Sequence, residues 1–313
     1  MFDQKYYSVK HKNKEILKKS SSGGLFTALS DVVLDQSGIV IGGGYDFNTN
    51  EVVFKICRSV KERDSLRGSK YIQGNMTQLY RQIEEEIEHQ IAGSCSPIMF
   101  VGLPCQVAAL KNYLKIKEIE YPRLILCDLV CHGVPSLGVW QYFFEKKCKK
   151  IAPNYITFKD KKLGWSQPLA FASNEDKRVS LRAFTLLYFG KLIMRPSCHE
   201  CPYSSTERIG DISLGDHWSV GKVDPGFCDK NGVSLAILNS EKGYSLFESC
   251  KNDIEWRLRT REECLQQALE YPVTENSLRK FFWAIYRVNK GISIVLFDAI
   301  VALEKVIKKI VHF

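Results

Sequence analysis

"SPIMFVGLPCQVAALKNYLK", residues 96–115, decides the architecture of this chain. Ile98 to Val101 form an unbroken apolar run, as in a strand covered on both faces. A loop at Gly102-Leu103-Pro104 follows, and apolar residues then recur at helical spacing to Leu114. "RLILCDLVC", residues 123–131, is the next buried strand. Strands alternating with helices favour a mixed or parallel sheet with helices on its faces.

Working outward, "SSSGGLFTALSDVVLDQSGIVIGGGYD", residues 20–46, opens with a serine cap, continues as an amphipathic helix over about Leu25 to Leu34, and breaks at Gly38 into a strand. "QLYRQIEEEIEHQI", residues 78–91, reads as a surface helix. From Ile151 to Arg182 the segments become shorter and strand-like; "VSLAILNS" and "EKGYSLFESCKN", residues 233–252, then give a strand and a helix. The expected fold class is α/β (α+β): mixed sheets flanked by helices, in two closely packed subdomains. Residues 1–150 form the N-terminal part, 151–290 a second part, and 291–313 an amphipathic tail helix.

The net charge of +9 over 313 residues is interleaved with acids, which argues against a basic nucleic-acid arm and favours anionic small molecules such as phosphorylated cofactors. Eleven cysteines, an odd number, with no apolar secretory segment after Met1, point to a reducing cytoplasm. There, clustered thiols bind metal or do redox chemistry. No run reaches the roughly 20 apolar residues of a membrane span, so a soluble protein is expected. The tail "KGISIVLFDAIVALEKVIKKIVHF", residues 290–313, is apolar on a wide face and basic toward its end. Docking on the protein's own core or in an oligomer is the first expectation, and peripheral contact with the inner membrane the alternative.

Four cysteines stand out. Cys198 and Cys201 form a CxxC pair in a loop, a spacing that serves zinc, iron–sulfur clusters and dithiol exchange alike. Cys105 and Cys131 each follow an apolar strand and can converge with that pair at one edge of the sheet. Cys57, Cys127, Cys148 and Cys250 read as core, while Cys95, Cys228 and Cys264 have no partner pattern. His132 and His199, beside the four, are either satisfied structural histidines or groups that tune or replace a ligand.

Ser21, Ser22, Gly23 and Gly24 sit at a helix N-terminus, where free N–H groups suit a phosphate or pyrophosphate. "RGSKYIQG", residues 67–74, gathers Arg67, Ser69, Lys70, Tyr71 and Gln73: cations, hydroxyls, a ring and an amide of the kinds a flavin needs, or else an exposed polar turn. In "GDISLGDHW", Asp211 and Asp216 flank a strand and either anchor a ribityl or ribose hydroxyl or cap turns. The charged turn holding Lys159 and Asp160 carries no separate catalytic role. A dinucleotide fingerprint, a Walker loop, HExxH and a nucleophile elbow are all missing.

In order, "SSSGGLFTALS", "LRGSKYIQG", "FVGLPCQVAALKNYL", "CDLVCHGVPS" and "RPSCHECPY…GDISLGDHW" resemble the coenzyme F420 hydrogenase/dehydrogenase beta-subunit family, from about Tyr6 to about Leu238. The resemblance implies an iron–sulfur flavoprotein oxidoreductase that passes electrons between FAD and a 4Fe-4S cluster. Cys105, Cys131, Cys198 and Cys201 would be the cluster ligands. Ser21, Ser22, Gly23 and Gly24, with Ser69, Lys70, Tyr71 and Gln73, would line the FAD site. Many relatives carry a ferredoxin-like, cysteine-dense segment ahead of the serine loop, whereas this chain has no cysteine before Cys57. A ferredoxin or other electron-transfer partner is therefore expected to supply electrons. Bacterial relatives often accompany surface-polysaccharide enzymes, which makes cell-envelope glycan enzymes candidate partners and leaves coenzyme F420 or another flavin or deazaflavin as the second substrate. Two alternatives stand beside this: a non-catalytic scaffold that keeps the fold, and a zinc-stabilised transferase, for which no substrate-activating base is evident.

Overall fold

The computed structural model describes residues 2–93, 95–166 and 169–311. Twelve strands occur among these residues: β1 (Lys5–His11), β2 (Ile39–Asp46), β3 (Glu51–Cys57), β4 (Gly74–Asn75), β5 (Ile98–Gly102), β6 (Leu124–Leu129), β7 (Tyr155–Asp160), β8 (Leu169–Ser173), β9 (Arg178–Ser180), β10 (Ile212–Asp216), β11 (Ser234–Leu238) and β12 (Ile254–Arg259). Nine make one sheet, in the order β12-β1-β11-β10-β6-β5-β2-β3-β4; β7, β8 and β9 make a second.

The middle of the large sheet is parallel: β10 beside β6, β6 beside β5, β5 beside β2. The apolar run that opens the analysis lies in it, with Ile98 opposite Leu124 and Gly102 opposite Asp128. Both faces are covered, as a run without polar alternation requires. Ile98, Phe100, Leu124 and Leu126 pack under the helices Leu79–Ala92 and Pro104–Ile116. Their neighbours Met99, Val101, Ile125 and Cys127 point the other way, toward the helices Leu25–Asp35 and Glu241–Ser249.

The N-terminal β1 pairs antiparallel with β11 and β12. The parts before and after residue 150 therefore share one sheet. The three-stranded sheet belongs to a second core, with the helices Leu137–Phe143, Arg182–Phe189, Arg279–Val288 and Lys290–Val311 around the fully buried Trp140, Phe184, Phe282 and Phe297. The tail helix thus docks on the protein itself through Ile294, Phe297 and Val301. Among the described residues no helix is long and apolar enough to cross a membrane.

Candidate functional site

Parallel strands end together, and loops leaving their carboxyl ends enclose a crevice. Here the crevice is a cavity of about 310 Å³. Its wall takes Gly42 and Gly43 from β2, Val101 and Gly102 from β5, Leu129 to Pro135 at and beyond the end of β6, and Leu214 to Asp216 from β10. Two helix N-termini also face it, at Gly24-Leu25-Phe26 and at Leu103. First-turn N–H groups lack intrahelical acceptors, so the end at Gly24 offers donors to an anion, whereas at the other end the Leu103 N–H donates to Gln106 Oε1 at 2.8 Å and Pro104 has no N–H to give.

Two loops distant in sequence close one side, and they are bonded to each other. The Ser21 hydroxyl accepts from the Ser69 backbone N–H at 2.6 Å and lies 3.0 Å from the Ser69 hydroxyl. The Lys70 ammonium donates to the carbonyls of Leu66, Arg67 and Gly68 at 2.7, 3.0 and 3.0 Å, which curls the second loop around its charge. Desolvation, with repulsion from Lys55, pulls the Lys70 pKa down to about 7. Beneath both loops Arg63, 1% exposed, donates to the Thr27 carbonyl at 3.1 Å and pairs with Asp31 at 2.6 Å, fastening the helix Leu25–Asp35 to the loop that follows. On the other flank Lys161 donates to the carbonyls of Leu17 and Ser22 at 2.8 and 3.3 Å.

Gly24 has φ +86°, where a side chain would be strained. Gly23 is glycine for a different reason. A Cβ there would lie 2.1 Å from the Val9 carbonyl and 2.5 Å from the Ser234 N–H, so β1 and β11 can only approach a bare backbone.

The four selected cysteines lie within electrostatic reach of one another, with Cys131 on the crevice wall. Cys105 stands in the first turn of the helix Pro104–Ile116, and Cys131 lies just beyond β6. The loop after Cys131 then pairs with the segment leading into CxxC: Pro135 bridges Met194, and the Arg195 N–H donates to the Val134 carbonyl at 2.9 Å. Burial raises the Cys105 pKa, and the Cys201 and Cys198 charges add to the rise. Burial pushes the Cys131 thiol up to about 12, with Cys105, Cys198 and Cys201 each contributing in the same direction. Thiols that oppose one another's ionisation this way are neighbours in space.

Backbone donors already point at two of these sulfurs: the Gly133 N–H at Cys131 Sγ and the Val134 N–H at Cys198 Sγ, both at 3.4 Å. His199 Nδ1 is 2.9 Å from the Val273 carbonyl, and its Nε2 is buried without a hydrogen-bond partner among the described residues. Among those residues no three His, Cys, Asp or Glu side chains close on a point that would hold a single ion. Four thiols, two of them receiving backbone N–H groups, are soft donors of the chemical kind that iron–sulfur clusters take.

A second chamber of about 760 Å³ lies beyond the first. The two share Tyr71, Cys131, His132, Tyr188 and Asp216 as wall residues. Tyr71 and Tyr188 stack at 4.8 Å between ring centroids and 17° between planes, and the Tyr188 hydroxyl donates to the Gly133 carbonyl at 3.0 Å. Asp216 receives Lys159 Nζ at 2.5 Å and the Trp165 indole N–H at 2.8 Å, while Trp165 stacks on Trp218 at 4.6 Å. Burial lowers the His132 pKa, against the opposing charge of Asp216.

Of the eight residues expected to line a flavin site, Ser21, Ser22, Gly24, Ser69, Lys70 and Tyr71 are on the wall of the first cavity; Gly23 lies behind it and Gln73 off it. Of the four thiols, Cys131 alone also lines the cavity. Asp211 turns away from the cavity, accepting from the Leu126 N–H at 2.9 Å and the Ser240 hydroxyl at 2.6 Å. Sequence reasoning passed over Tyr188, the ion pair of Lys159 with Asp216, and Arg63. Asp216 was singled out beside its strand and Lys159 in a charged turn, but nothing in the sequence joined the two.

Residues 95–263, more than half the chain, match the family model for the coenzyme F420 hydrogenase/dehydrogenase beta subunit, C terminus. The chain belongs to this family. The matched stretch contains all four selected cysteines and begins beyond the serine loop and the loop 67–74. The fold is also similar to that of a chain in the xenon-derivatized F420-reducing [NiFe] hydrogenase complex of Methanosarcina barkeri, with TM-score 0.51, 17% identity, and 80% of this chain and 81% of that chain covered. No curated protein matches the chain significantly. In this family member, the matched region carries the parallel strands β5, β6 and β10; Cys105 and Cys131 follow the ends of β5 and β6, and Cys198 and Cys201 lie in the segment ahead of β10.

Proposed function

We propose that the protein is an iron–sulfur flavoprotein oxidoreductase that passes electrons between FAD and a 4Fe-4S cluster. The observation that carries this reading is the position of Cys131, which belongs at once to the four-cysteine group and to the wall of the crevice. A group bound in the crevice and one held by the thiols would be separated by a single side chain.

The residues divide the work. Ser21, Ser22, Ser69, Lys70 and the N-terminus at Gly24 would hold the anionic and ribityl parts of FAD, while Cys105, Cys131, Cys198 and Cys201 would ligate the cluster. Bound together, the flavin supplies two-electron chemistry and the cluster one-electron chemistry. The protein contributes position and exclusion of water. Tyr71 and Tyr188 present an aromatic partition between the two chambers, and Gly133 and Val134 donate to thiolate sulfurs. A ferredoxin or another redox subunit would deliver electrons from outside. The proposed setting is cell-envelope glycan synthesis, with coenzyme F420 or another flavin or deazaflavin as the exchange partner.

The test is anaerobic purification with quantification of flavin, iron and sulfide, beside a Cys198→Ser, Cys201→Ser double variant. The expected result is flavin plus about four irons per chain, with iron lost and flavin kept in the variant. Neither flavin nor iron bound after reconstitution would overturn the proposal.

A further inference from the structure

The helix Lys290–Val311 is apolar on two sides, and the structure accounts for only one of them. Ser293, Ile294, Phe297 and Val301 face inward, where the helix packs on Arg182–Phe189 and Arg279–Val288, and the Ser293 hydroxyl donates to the Phe282 carbonyl at 3.1 Å. Ile292, Val295, Leu296 and Leu303 form an outward stripe at helical spacing and are 58, 70, 39 and 61% exposed. The preceding helix adds Phe281 at 56% and Val288 at 89%. These six are among sixteen large apolar side chains exposed across all the described residues, so the exposure is concentrated in one short segment. An apolar concentration of this kind on an otherwise charged surface marks an interaction face.

The charge around the stripe identifies what it meets. Lys280, Arg287 and Lys290, on the same two helices, are exposed. From Arg279 to the end the sequence holds seven Lys or Arg and two acids, Asp298 and Glu304, a net charge of 7 − 2 = +5. We propose that this face docks the protein on the surface of an anionic membrane, with the apolar stripe among the acyl chains and the cations at the headgroups. Such a helix lies in the interface plane and needs no span. A second copy of the chain would bring the same cations against one another across a two-fold axis, which disfavours self-association through this face.

The docking side is compatible with electron transfer. The inward face of the same helix packs on Arg182–Phe189, which also contributes Arg182, Leu186, Tyr188 and Phe189 to the wall of the second chamber. The inference does not depend on which cofactors the crevice holds.

Co-sedimentation of the full chain with vesicles tests it, using phosphatidylcholine alone and phosphatidylcholine mixed with phosphatidylglycerol, at low and high salt. Binding should favour the anionic vesicles by about tenfold or more and weaken with salt. An Ile292→Gln, Val295→Gln, Leu296→Gln variant should lose at least about tenfold of that binding, and a Lys280→Gln, Arg287→Gln, Lys290→Gln variant should lose the preference for anionic lipid. Unchanged thermal unfolding in the variants would show that the fold is intact, since these side chains point outward. Equal binding to both vesicle types, or none, would overturn the proposal, as would a dimer in solution that the apolar triple variant converts to monomer.

Discussion

Lys70 shows how one residue's environment sets a measurable behaviour. Its ammonium serves three carbonyls of its own loop, yet desolvation on the cavity wall brings its pKa down to about 7. A bound diphosphate would favour the charged form, so binding takes up a proton wherever free Lys70 is partly neutral. FAD affinity should therefore be greatest below pH 7 and fall as pH rises through that value, with the slope lost in Lys70→Gln; fluorescence quenching of FAD across this range checks it. Asp128 is a second instance. It is wholly buried against Arg208, which also donates to the carbonyls of Tyr203 and Ser205 at 3.2 and 3.1 Å and so anchors the loop after CxxC. Asp128→Asn should lose about 3–5 kcal/mol in chemical denaturation, because the guanidinium is left buried without its counter-charge.

At the scale of elements, strands and helices inside the parallel core were legible because each is a continuous local pattern. The apolar run at Ile98–Val101 is an example, and the expected helix from Leu25 ends one residue past its expected limit, at Asp35, although its N-cap is Gly24 and the serines expected to cap it bond to Ile16, Ser69 and Val233 instead. Loop-to-loop contacts were not legible. Nothing local couples Ser21 to Ser69, 48 residues apart; their bond joins the loop before the helix Leu25–Asp35 to a loop beyond β3. Ser21→Ala should free the loop 67–74 and lower FAD affinity by about tenfold, measured by the same titration, with little change in thermal stability. Gly23 shows the reverse difficulty: its place in a glycine-serine loop suggested a ligand, whereas the close approach of Val9 and Ser234 explains why it is glycine.

For the molecule as a whole, the sequence implied an α/β class and a converging set of cysteines but not the closure of the sheet. β1 is the first strand and pairs with β11 and β12, more than 200 residues later, a pairing set by long-range burial that no local period encodes. The same holds for the second chamber, whose wall combines residues from Tyr71 to Val273. The outcome of that closure is a crevice at the ends of four parallel strands with Cys131 shared between crevice and cysteine group, and the functional account rests on it. An anaerobic reductive titration followed by visible spectroscopy tests the account most directly. The reconstituted protein should take up about three electrons per chain, two at the flavin and one at the cluster, and the Cys198→Ser, Cys201→Ser variant about two. Uptake of two electrons by both proteins, with no iron-dependent absorbance change, would contradict it.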